Sequence, residues 1–191
     1  AADSLENTLK YLDGANAVYN EVEINGASLL GVHLEGPYVN VKAAGAQPIK
    51  YIKNPDLKEF KAWNEASGNI IKKISLAPEN DSNFEFIKYL KKENIIASIA
   101  HTVANYKTTS LAIEAGVESF THTYNAMTPL HHRDVGVVGA AYLHKDVLSE
   151  LIFDKIHTSV EAAQILFNNK SFENVALITD SMRNKGLPDG V

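Results

Sequence analysis

The sequence predicts an α/β fold, a partial (β/α)8 TIM barrel with about six of its eight strands present. Three observations lead there. Short apolar runs alternate with amphipathic stretches, and repeated βα units of that kind build a parallel sheet through right-handed crossovers. Glu35, His101, His122, His157 and Asp180 follow five different runs. A doubly wound open sheet would gather such residues near one switch point, whereas a barrel spreads its site over many strand ends. The chain has 191 residues, short of the roughly 250 of a complete barrel. The expectation is a single incomplete barrel domain over residues 1–191, lacking the first two strands. The missing part would be cleaved away or supplied by a partner chain, because an open piece leaves two raw sheet edges. The absence of an initial methionine points the same way.

Each element has its own reason. Ser4 is placed to cap a helix with Leu5, Leu9 and Leu12 on one face. A strand is expected over Leu29–Leu34. Tyr38–Pro55 contains Pro48, Pro55, Asn40, Asn54 and Gly45 and reads as a long loop with little regular structure, of the kind that is usually functional. Ile70–Leu76 is the next strand, stopping at Ala77-Pro78-Glu79. Ser82 and Glu85 match a capping box, with Phe86, Ile87 and Leu90 as the apolar stripe behind it. Ile95–Ala100 is a strand and Tyr106–Ala115 a helix closed by Gly116. Strands follow at Val117–Thr121 and Val147–Phe153. Thr158 and Glu161 form a second capping box before a helix through Phe167. The last strand is Val175–Thr179.

Composition excludes several function classes. A hydrophobic fraction of 45% argues against disorder, and a net charge of −5 offers no basic surface to nucleic acid. The apolar runs are far short of the roughly 18 residues needed to span a bilayer. The first residues lack the basic-then-apolar order of a signal peptide. No cysteine is present, so disulfides and thiolate ligands are impossible, and a reducing, cytoplasmic setting fits.

The chemistry sits at the ends of the runs. Side chains alternate across a strand, so His33 shares a face with Glu35, Ile99 with His101, and Phe120 with His122. If that face points inward, Glu35, His101 and His122 converge at the rim. Two imidazoles and one carboxylate hold a divalent cation and leave a fourth position for water, the arrangement of a metal-dependent hydrolase. Alone, each histidine would be an ordinary packing residue. His33 is expected inside the barrel or supporting the ligands. Asp180 ends a strand apolar on both faces and is placed to move a proton. Asn125, His131, His132 and Arg133 crowd the segment after His122. Arg suits a phosphate and Asn a hydroxyl, although a solvated polar loop explains them equally well. No phosphate-loop or dinucleotide fingerprint occurs.

Several phrases together resemble the N-acetylglucosamine-6-phosphate deacetylases, of the amidohydrolase superfamily. They are Leu30-Gly31-Val32-His33-Leu34-Glu35-Gly36-Pro37, Thr121-His122-Thr123-Tyr124-Asn125-Ala126-Met127, Arg133-Asp134-Val135-Gly136-Val137-Val138-Gly139-Ala140 and Thr179-Asp180-Ser181-Met182. The tail Gly186-Leu187-Pro188-Asp189-Gly190 also matches. The resemblance implies hydrolysis of the N-acetyl group of a 6-phosphorylated amino sugar. It implies one divalent metal ion, zinc or iron, on Glu35, His101 and His122, and places the acid–base role on Asp180. It places substrate contacts at Ala46, Gln47, Asn125, the backbone of Ala126, Arg133 and His157. It also implies a homodimer.

The chain departs from the family pattern in places. Gln47 stands where many relatives have a histidine that polarises the amide carbonyl. Lys155 stands for a glycine in Asp154-Lys155-Ile156-His157. The His-x-His pair of the family's first strand is absent, as expected if that strand is missing, and so is the flanking small β-domain. Two other readings compete. A different amidohydrolase, such as a cyclic amide hydrolase, would often need a strand-end lysine, which is not seen. A catalytically inert barrel fragment would serve only as a metal- or phosphosugar-binding or assembly module.

Overall fold

Six parallel strands stand side by side in chain order, so each βα unit simply adds to the edge left by the one before. The computed structural model describes residues 2–21, 26–182 and 185–188; Asp189 and Gly190 of the tail phrase lie outside them. The strands are β1 (Val32–Glu35), β2 (Ile71–Leu76), β3 (Ile96–Ile99), β4 (Val117–Phe120), β5 (Leu148–Ile152) and β6 (Val175–Ile178). Helix α1 (Leu5–Tyr19) precedes β1. Helices α2 (Leu57–Ala66), α3 (Glu85–Lys92), α4 (Tyr106–Ala115), α5 (Gly136–Leu143) and α6 (Val160–Asn169) each fill one crossover. The sheet is curled. Strands lie about 4.8 Å apart, which would put β1 and β4 roughly 14 Å from each other if flat. Yet the side chains of Glu35, at the end of β1, and His122, just past β4, approach to 3.4 Å. The fold is therefore a half-barrel. Among the described residues, no strand pairs with the outer edges of β1 and β6.

The apolar core lies between the sheet and the helices. Phe60 and Trp63 of α2 and Phe86, Ile87 and Leu90 of α3 are buried against strand residues such as Leu76, Ile99 and Phe120. Tyr38, just beyond β1, stacks on Trp63 with ring centroids 5.7 Å apart and meets Phe86 edge-on at 5.2 Å. Its hydroxyl donates to Glu59 at 3.0 Å. The start of the long loop is thereby fixed to the core. Truncating Trp63 to Ala is expected to lower stability by about 3–5 kcal/mol; denaturant titration of both proteins measures this, and a loss below about 1 kcal/mol would place Trp63 outside the core.

The concave face is polar, unlike the branched aliphatic filling of most barrels. Ser75 and Ser98 both hydrogen-bond the Thr121 hydroxyl at 2.7 Å, and His33 Nε2 meets Ser75 Oγ at 2.7 Å. Lys73 forms an ion pair with Glu150 across the curl and donates to Ser119 at 3.3 Å.

Several details differ from the sequence reading. The first strand starts at Val32, not Leu29, since Gly31 before it has a φ of +152°, outside the strand range. Helices α2 and α5 were not foreseen. Helix α2 is capped by Asp56, which accepts from Glu59 N at 2.9 Å. Helix α5 is buried around most of its circumference, so it carries no amphipathic signal. The expected capping boxes are built otherwise. Asp81 accepts from Phe86 N and Ile87 N at 3.1 and 2.9 Å, and Ser159, not Thr158, accepts from Ala162 N at 3.2 Å. The long loop contains 3-10 turns at Val41–Ala43 and Ile49–Tyr51. Among the described residues, no helix is long and apolar enough to cross a membrane.

Candidate metal centre

Glu35 closes β1, and His101, His122 and Asp180 stand just past the ends of β3, β4 and β6. His101, His122 and Asp180 have φ of +44°, +37° and +49°. Left-handed backbone at a non-glycine residue costs of order 1–3 kcal/mol and persists where its surroundings over-determine it, typically at functional sites. Three such residues on one rim are a structural mark of the site, independent of side-chain chemistry.

One ligand atom from each of Glu35, His101 and His122 lies within 4.8 Å of the others. Glu35 Oε1 is 2.8 Å from His101 Nε2 and 3.4 Å from His122 Nε2, and the two imidazole nitrogens are 3.1 Å apart. Both histidines are buried and Glu35 is partly so. Burial pushes the Glu35 carboxyl up, but hydrogen bonds from His101 and His122 outweigh it and hold the group well below the ordinary carboxylate range. Burial pushes His122 down, and the bond and charge of Glu35 more than reverse this, leaving its pKa raised. An ionised carboxylate and two imidazole nitrogens aimed at one point form a donor set suited to zinc or iron(II).

The second nitrogens are treated differently. His101 Nδ1 donates to the Ala43 carbonyl at 2.8 Å, so a metal ion that displaces the proton Nε2 shares with Glu35 would meet the Nε2 lone pair. His122 Nδ1 is buried without a hydrogen-bond partner among the described residues. Gly45 lies against the His101 ring, where a Cβ would sit 3.2 Å from Cε1, at a φ of +58°. Neither Ala43 nor Gly45 was singled out in the sequence as a site residue. A backbone carbonyl has no side-chain signature; the small-residue run Ala43-Ala44-Gly45-Ala46 was the available signal.

The remaining site residues are distributed unevenly. Asp180, exposed, shares with Glu35, His33, Ala46 and Met182 a cleft of about 720 Å³ between β1 and β6. Gln47 is 6% exposed, and its carboxamide nitrogen lies 3.3 Å from both the backbone oxygen and Oε1 of Glu35. Its oxygen accepts from Ala2 N at 2.6 Å. Asn125 N donates to the His122 carbonyl at 2.9 Å, while its side-chain nitrogen is buried without a partner among the described residues. The Ala126 carbonyl accepts from Thr102 N at 3.0 Å. Arg133 is exposed, and its backbone N donates to His131 Nδ1 at 3.2 Å. His157 is exposed and bonded through Nδ1 to Asp154 at 2.7 Å. Neither Arg133 nor His157 lines the cleft. Lys155 adopts a φ of +66°, the region that favours glycine.

No family model matches the chain. Over 171 residues it is 50% identical to the N-acetylglucosamine-6-phosphate deacetylase of Bacillus subtilis (strain 168), covering 90% of this chain and 43% of that protein. Among solved structures, an N-acetyl-D-glucosamine-6-phosphate deacetylase variant from Mycobacterium smegmatis, in complex with N-acetyl-D-glucosamine-6-phosphate, superposes with a TM-score of 0.91. It is 28% identical, covering all of this chain and 49% of that one. The N-acetylglucosamine-6-phosphate deacetylase of Thermotoga maritima gives 0.88 at 35% identity, covering all of this chain and 50% of that one. The chain thus spans less than half the length of the curated relative and about half of each solved structure.

Proposed function

We propose that this chain forms part of an enzyme that hydrolyses the N-acetyl group of N-acetylglucosamine 6-phosphate, giving glucosamine 6-phosphate and acetate. The carrying observation is the convergence of Glu35, His101 and His122 on one point, in a chain similar to enzymes of that name. In this reading the chain is a single incomplete barrel domain, and its membrane-impermeant substrate places it in the cytoplasm. Glu35, His101 and His122 would hold one zinc or iron ion. When bound, the ion supplies positive charge that acidifies water and polarises a carbonyl. Asp180 Oδ takes a proton from the attacking water and returns it to the departing amine. Asn125 and the Ala126 backbone face the sugar, and Ala46 walls the cleft. Gln47 steadies the Glu35 carboxylate, and Arg133 and His157 meet the substrate's charged end.

The test is glucosamine 6-phosphate release by the purified chain loaded with zinc or iron(II). Turnover supports the proposal. Metal uptake without turnover supports a second reading, an inert fragment, which the outer edges of β1 and β6, unpaired among the described residues, favour. Changing Arg133 to Ala is expected to weaken the phosphorylated substrate by about 10- to 100-fold, the 1.5–3 kcal/mol of a charged hydrogen bond, with little effect on the unphosphorylated analogue. Competition binding of both sugars checks this, and equal losses would mean that Arg133 does not hold the phosphate.

A further inference from the structure

The loops after β1, β2 and β3 meet on a single carboxylate, Glu79, which belongs to neither the metal trio nor the cleft wall. Glu79 Oε1 accepts from the Asn40 side-chain amide at 2.9 Å and from Val103 N at 2.7 Å. Its Oε2 accepts from the Thr102 hydroxyl. These donors flank His101 on two sides. Thr102 and Val103 directly follow it. Asn40 N donates to the His101 carbonyl at 2.9 Å, and Asn40 Oδ1 accepts from Lys42 N at 2.9 Å, capping the turn that ends in Ala43. The Ala43 carbonyl in turn receives His101 Nδ1. His101 also carries a left-handed φ of +44°, a conformation that relaxes unless the neighbouring chain is held.

We infer that Glu79 is a positioning residue for the metal centre: by clamping the Asn40 and Thr102–Val103 segments together, it fixes the backbone, tautomer and direction of His101. The inference rests on the metal-site reading of Glu35, His101 and His122, and assigns that site its outer support. Groups that orient a metal ligand typically govern 10- to 100-fold in metal affinity. A charged acceptor held by a backbone N–H, a hydroxyl and an amide is stronger than neutral pairs and better able to hold a strained segment.

The experiment is zinc affinity of the purified chain, by competition with a chromophoric chelator at fixed pH, for the unchanged chain and four variants. Glu79→Ala is expected to bind zinc about 10- to 100-fold more weakly. Glu79→Gln, which keeps one acceptor oxygen, should fall between. Leu90→Ala empties a core site away from these loops and serves as the stability control, so its affinity should remain that of the unchanged chain. Equal affinity for Glu79→Ala and the unchanged chain would overturn the inference, as would a loss of the same size in Leu90→Ala. If Glu79→Ala does not fold, Thr102→Val carries the test, since it removes one donor and keeps the shape; several-fold weakening is expected, and no change overturns the inference. His101→Ala separates the two levels of argument. If it fails to abolish zinc uptake, the site reading falls and this inference with it. If it does abolish uptake while Glu79→Ala is silent, only the role of Glu79 falls.

Discussion

If the proposed function holds, replacing Asp180 by Asn in the intact enzyme is expected to lower deacetylation by about 10²- to 10⁴-fold, the range for a positioned acid–base group, while zinc uptake is unchanged. The geometry separates these two outcomes. Asp180 shares the cleft with Glu35 but is not one of the three converging ligands. Its charge nonetheless reaches the centre, since it contributes to raising His122. Asn preserves the shape of the side chain and cannot accept the proton. Steady-state release of glucosamine 6-phosphate, with bound zinc quantified in the same samples, checks both halves. Retained turnover would remove Asp180 from the chemistry. Loss of zinc along with turnover would make it a ligand instead.

Changing His122 to Ala should weaken zinc by more than about 100-fold, exceeding the effect of losing an outer partner. Equilibrium dialysis measures it, and uptake matching that of the unchanged chain would dissolve the proposed centre. The same site sets a pH dependence with a definite sign. Metal ligation needs neutral imidazole. The raised pKa of His122 means that protons compete from above the ordinary histidine value, about 6.5. Glu35, held low, stays ionised throughout. Zinc affinity should therefore decline on acidification through that raised value, by about tenfold per pH unit for one displaced proton. An affinity flat across this window would contradict the coupling between Glu35 and His122.

The sheet was legible because its signal is local. Each strand is a short apolar run, and the residue types beyond those runs announced the site. The trio at Glu35, His101 and His122 could be named from ligand-type residues at the ends of apolar runs, with strand alternation giving the shared face. Helix α2 was also in reach, because Asp56 and Glu59 occupy capping-box positions ahead of Phe60 and Trp63. Helix α5 was not, because a helix buried around most of its circumference has no polar face to reveal its period. The caps at Asp81 and Ser159 show the same limit, since several adjacent polar residues satisfy one pattern and only packing selects among them. The supports of His101 were hidden for another reason. Ala43 acts through its carbonyl, Gly45 through its lack of a Cβ, and Glu79 through partners contributed by other loops. Gln47 is intermediate: the resemblance marks its position, and only the fold directs its amide to Glu35.

The apolar packing of this chain lies outside the curl, between strands and helices, while the hollow of the curl is lined by hydroxyls and the Lys73–Glu150 pair. Cohesion therefore does not wait for closure around the axis. Among the described residues, the six strands and their helices enclose an apolar core of their own, whatever covers the outer edges of β1 and β6.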